Sequence, residues 1–164
     1  MPVIDELVRA NAAFAGTRTP HQLPMPPARH VAIVTCMDAR ILPAAVLGLA
    51  EGDAHVIRNA GGLAKDALRS LVVSQRLLGT TEVAVIHHTD CGMLTFTNDQ
   101  LRARVRKELG ADADDIDFLP FSNVEQSVRE DVIYLRNSPL IPKTIPIRGF
   151  AYDVRTGLLS EVTA

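Results

Sequence analysis

The 164-residue chain is 47% hydrophobic and 22% charged, which fits one compact domain with a real core and excludes the disordered and fibrous classes. Its 17 basic and 19 acidic residues leave a formal charge of -2 with no block of like charge, so neither nucleic acid nor an anionic membrane is an expected partner. The first residues, MPVIDELVRANAAF, put Asp5 and Glu6 where a secretory leader needs positive charge, and no apolar run approaches the roughly 18 residues that cross a bilayer. A cytoplasmic protein with two reduced cysteines is the expectation.

In chain order, Ile4, Leu7, Val8 and Ala12 recur near helical spacing and predict a helix over residues 3–14. Residues 15–29, with Pro20, Pro24, Pro26 and Pro27, read as an extended arm that crosses a surface of this subunit or of a neighbour. HVAIVTC, residues 30–36, is a β-branched apolar run suited to a strand buried on both faces. A short helix over LPAAVLGLA and a strand over residues 54–58 follow. A Gly-rich turn at 59–62 then leads into a helix over 64–79, in which Leu68, Leu71, Val72, Gln75 and Leu78 share a face and Gly79 supplies the stop. EVAVIH, residues 82–87, is a third buried strand, and the turn HTDCG leads toward a charged helix ended by Gly110. An acidic loop separates it from a helix that starts at a Ser122/Glu125 capping box and runs to about Asn137, where Pro139 enforces the stop. TIPIRGFAYDV and LLSEVT, on either side of RTG, read as a strand and its return partner. Strands alternating with helices imply an α/β fold in one domain, residues 1–164, with a parallel-core β-sheet flanked by helices.

Ligands of open parallel sheets sit beyond the carboxyl ends of the strands. The first strand ends in CMDAR and the third in HHTDCG, which gathers Cys36, Cys91, two histidines, Asp38, Asp90 and Arg40 at one edge. Zinc accounts for that gathering, because it favours thiolate sulfur and imidazole nitrogen, and H-x-x-C in a turn lets two neighbours reach one ion. His87 and His88 point to opposite faces of an extended chain, and the spacing to Cys91 favours His88. Cys36, His88 and Cys91 leave a fourth position open, the mark of a catalytic site. A redox pair is less favoured because C-x-x-C is missing, and a closed structural zinc is a further alternative. Asp38 either binds the ion itself, in a closed state favoured at low pH, or is held away by Arg40 and accepts a hydrogen bond from the attacking hydroxide. Backbone amides near Gly62 and Gly92 are candidates for steadying developing negative charge.

CMDAR at 36–40, RNAGG at 58–62 and HHTDCG at 87–92 together resemble the β-class carbonic anhydrases in order and spacing. The resemblance covers roughly residues 30–95. It implies reversible hydration of carbon dioxide to bicarbonate, one zinc on Cys36, His88 and Cys91, and an Asp38/Arg40 dyad beside it. It also implies a homodimer that pairs again in some members, with residues 1–29 packed on the partner. Short members also hydrolyse carbonyl sulfide or carbon disulfide with the same motifs, and a zinc-binding or thiol-sensing module without turnover is the alternative from another class.

Overall fold

The computed structural model describes residues 2–19 and 22–164, so the part of the expected arm at residues 20–21 lies outside the described residues. Among the described residues five strands form one sheet: β1 (Val31–Cys36), β2 (Ala54–Asn59), β3 (Glu82–His88), β4 (Ile147–Tyr152) and β5 (Leu159–Val162). Their spatial order is β2-β1-β3-β4-β5, with every pairing parallel except the last. The return strand expected after RTG is that antiparallel edge. The helices are α1 (Val3–Thr17), α2 (Pro43–Leu47), α3 (Ala64–Leu78), α4 (Asn98–Leu109) and α5 (Val124–Asn137).

Alternation along the strands divides the core in two. Ala32, Val34, Val83, Val85 and Ile147 meet Ala67 and Leu71 of α3 and Val128, Val132 and Leu135 of α5. On the other face, Ile33, Ile86 and Tyr152 pack with Val46 and Leu47 of α2, with Met93 and Leu94 of the 3₁₀ segment at Gly92–Leu94, and with Phe121. Since α2 and α3 lie on opposite faces, the chain leaves β1 in one direction and returns to the other side of it at β3. The carboxyl ends of β1 and β3 therefore border the crevice where the sheet order reverses, the usual ligand position in such sheets.

Local signals set most of the boundaries. Gly48, Gly79 and Gly110 close α2, α3 and α4 in the left-handed conformation. The helix expected over 3–14 runs on to Thr17. The cap of α5 is shifted by one residue from the Ser122/Glu125 box: Asn123 is the N-cap, and its side-chain oxygen accepts from the Gln126 N–H at 2.8 Å. Asn satisfies that amide as well as Ser does, so two adjacent capping residues left the register open in sequence. A capping box that does form, Thr97 with Gln100, starts α4.

Gly149 lets α5 lie directly on β4. A Cβ there would fall 2.4 Å from Val128 Cγ1 and 2.9 Å from Val132 Cγ2, both on β-branched side chains with little freedom to move. Gly149→Ala is expected to destabilise the fold by about 1–3 kcal/mol, the usual range for overpacking. A melting temperature lowered by several degrees, partly restored by adding Val128→Ala, is the result to look for.

Candidate metal centre

Cys36 is the last residue of β1 and pairs in register with Asn59 of β2, while His88 is the last residue of β3. The turn after β3 is held to the next strand by the Thr89 N–H donating to the Tyr152 carbonyl at 2.9 Å. It reverses through Asp90 at φ 55°, a left-handed conformation that Asp tolerates, and so brings Cys91 back under His88. One ligand atom from each of Cys36, His88 and Cys91 lies within 4.8 Å of the others, all three residues are buried, and both cysteines are free. His87 faces the other way, onto α5, as adjacent strand residues must.

The donor set fits a tetrahedral soft-ligand ion. The His88 Nδ1–H donates to the Thr89 carbonyl at 2.8 Å, which puts the lone pair on Nε2. That Nε2 is buried without a hydrogen-bond partner, and a metal ion would satisfy it. The neighbouring Cys91 thiol pulls Cys36 down to about 4, with His88 and the amides of Asp38 and Gly61 reinforcing the shift. The same contact, together with burial, pushes Cys91 up. A dication bound here would favour the thiolate form of both sulfurs. Burial pushes His88 down, but the Cys36 sulfur, the Thr89 carbonyl and the Asp38 charge together offset it and the net shift is upward.

Arg40 sits between the two ligand-bearing turns. Its backbone N–H and Nε donate to Asp38 Oδ1, both at 2.9 Å, and its Nη2 donates to Oδ2 at 2.7 Å. It also reaches Asp90, through Nη1 to Oδ2 at 2.6 Å and through Nη2 to the carbonyl at 2.9 Å. The guanidinium holds the Asp38 carboxyl well below the usual carboxylate range. Asp38 Oδ2 remains 3.8 Å from His88 Nε2, so the carboxylate borders the ligand set while both of its oxygens are engaged by Arg40.

Gly62 has a clear steric reason to be glycine: at φ 75° a Cβ would lie 2.7 Å from the Cys36 nitrogen and 2.8 Å from the Thr35 carbonyl carbon. At Gly92 an added Cβ would meet no atom within 4 Å, so that residue has no such reason. The amides of their neighbours Gly61 and Met93 act to lower the Cys36 and Cys91 thiols. In the sequence Arg58 is marked only by its place in RNAGG. From β2 it donates to the carbonyls of Cys36 (Nε, 3.0 Å) and Asp38 (Nη2, 2.7 Å), pinning the loop that carries the first sulfur and the carboxylate.

Comparison with known proteins gives a consistent result. The family described as carbonic anhydrase matches residues 31–159. β-Carbonic anhydrase 1 of Mycobacterium tuberculosis is 45% identical, over 99% of this chain and 99% of its own. The crystal structure of carbonic anhydrase from Streptococcus mutans superimposes with a TM-score of 0.95 at 51% identity and 99% coverage of both chains. Carbon disulfide hydrolase of Acidithiobacillus thiooxidans is 35% identical, over 84% of this chain and 79% of its own.

Removing one sulfur tests the ligand set. The purified chain is expected to hold one zinc per chain. Cys91→Ser is expected to weaken zinc binding by more than the about 10–100-fold typical of losing an outer partner, measured by chelator competition.

Proposed function

The chain belongs to the β-carbonic anhydrase family and is a zinc enzyme that reversibly hydrates carbon dioxide, and we propose that Cys36, His88 and Cys91 hold the ion while Asp38, fixed by Arg40, orients the reacting hydroxide. The observation that carries this assignment is the convergence of two sulfurs on a buried imidazole nitrogen that has no other partner. Zinc held there supplies the positive charge that makes hydroxide available near neutral pH.

The remaining work falls to the side chains. Asp38, kept ionised by Arg40, is an acceptor only, so it takes the O–H of the attacking hydroxide and turns a lone pair toward the substrate carbon. Arg40 keeps that carboxylate at a fixed distance from His88. Backbone amides near Gly62, which packs against the Cys36 backbone, and Gly92, which follows Cys91, would steady the developing bicarbonate charge. The reaction is that of a carbonate dehydratase, a lyase.

Stopped-flow hydration tests the role of Asp38. Asp38→Ala is expected to lower kcat/KM by about 100-fold, the cost of losing a positioned hydrogen-bond partner, while zinc stays bound. An unchanged rate would remove Asp38 from the chemistry. The carbon disulfide hydrolase relative supports a second reading, sulfur-substrate hydrolysis on the same residues. Hydrogen sulfide release from carbonyl sulfide, run in parallel, is expected to be the slower reaction, and the reverse order would make sulfur hydrolysis the main activity.

We assign the active form to a homodimer or a pair of dimers. Helix α1 buries none of its own residues and exposes Val3, Ile4, Leu7, Val8 and Phe14, an apolar stripe suited to the surface of a second copy. Light scattering on the full chain is expected to give the mass of a dimer or tetramer, and Leu7→Asp with Phe14→Asp is expected to shift it toward monomer. The two free thiols at the metal site support a reducing, cytoplasmic location, and no described helix is long and apolar enough to cross a membrane.

A further inference from the structure

His87 is fully buried on the face of β3 opposite His88, and the hydration chemistry makes no use of it. Its Nε2 lies 3.1 Å from Asp131 Oδ2 and 3.2 Å from the Gly62 carbonyl. The Gly62 carbonyl can only accept, so Nε2 is the donor. Its Nδ1 lies 2.6 Å from Ser127 Oγ, and the ring stacks on Phe121 with centroids 5.6 Å apart. Asp131 Oδ2 also accepts the Ala64 N–H at 2.8 Å. That amide opens α3, which has no side-chain cap of its own, so Asp131 caps the helix from α5.

Placing an imidazole and a carboxylate inside a core is costly, and apolar residues of similar volume would commonly pack there at lower free energy. What the pair gains is a grip on one stretch of backbone, because its hydrogen bonds end on Gly62 and Ala64. Asn59 staples the same turn from within, through paired hydrogen bonds to the Leu63 backbone at 2.7 and 2.9 Å. The gripped backbone is in direct contact with the metal ligand, since Gly62 leaves no room for even a methyl group beside the Cys36 nitrogen.

We propose that His87 and Asp131 are positioning residues for Cys36: together they clamp the Gly62–Ala64 backbone against the end of β1 and so set where the Cys36 sulfur stands relative to His88 and Cys91. The clamp couples α5, on one face of the sheet, to the ligand set at its edge. This inference rests on the ligand assignment made above.

Cobalt-substituted protein reports the geometry directly, through the thiolate-to-cobalt and ligand-field absorption bands, and chelator competition reports zinc affinity. Asp131→Leu removes the oxygen that both donors share and is expected to shift the cobalt bands and weaken zinc binding by about 10–100-fold. Asp131→Asn keeps an oxygen in that place and is expected to retain the wild-type spectrum. Ser127→Ala frees only the far side of the His87 ring and is expected to shift the bands less, in the same direction. It decides the matter if Asp131→Leu does not fold. Wild-type bands and affinity in a folded Asp131→Leu protein, or in Ser127→Ala when the leucine variant does not fold, would reduce the pair to core packing and overturn the proposal. An asparagine variant as impaired as the leucine one would overturn it as well. Wild-type protein that binds no cobalt or zinc would refute the ligand assignment itself, before any of these variants is compared.

Discussion

Parallel pairing of β1 with β3 decides whether this protein has a site at all, because it sets two residues distant in sequence, Cys36 and His88, side by side at one edge of the sheet. Thr35 pairs with Ile86, so Cys36 lies one residue and His88 two residues beyond that pair, both at the end of the sheet. A slip of one residue would turn His88 toward α5 and His87 toward the sulfurs, since strand side chains alternate faces. The hydrophobic pattern guards against that slip: Val83 and Val85 fill one core layer while Ile86 fills the other.

Arg40 and Arg58 carry the same constraint into the loops. Arg58 ties the Cys36 and Asp38 carbonyls to β2, and Arg40 joins Asp38 to the turn that holds Cys91. Guanidinium groups suit this work because their planar donors engage several oxygens at once in fixed directions. A surface ion pair such as Arg104 with Glu108, exposed to solvent, contributes little to stability.

The site therefore has two layers of support of different kinds. On the crevice side, exposed charged groups hold the Asp38 carboxylate and the two turns. On the helix side, a buried histidine and aspartate hold the glycine turn that packs on Cys36. Gly62 is where the helix-side support meets Cys36, its missing side chain making room for the Cys36 backbone and its carbonyl accepting the hydrogen bond from His87 Nε2.

Much of this was legible in the residues alone. β-branched runs marked β1 and β3, glycines marked the helix ends, and CMDAR and HHTDCG marked the edge where Cys36, His88, Cys91, Asp38 and Arg40 meet, because strand periodicity, turn chemistry and ligand chemistry are local properties of the chain. The shift from Ser122 to Asn123 at the α5 cap escaped the sequence because both residues satisfy the same amide. The roles of Arg58, Ser127 and Asp131 escaped it for a different reason: their partners lie 20 to 67 positions away, and only the packing of β2 and α5 against the strand ends brings them there. The sequence by itself thus determined which atoms were available to bind an ion. Tertiary structure decided what holds them in place, because hydrogen bonds between distant segments depend on the fold and leave no periodic trace in the chain.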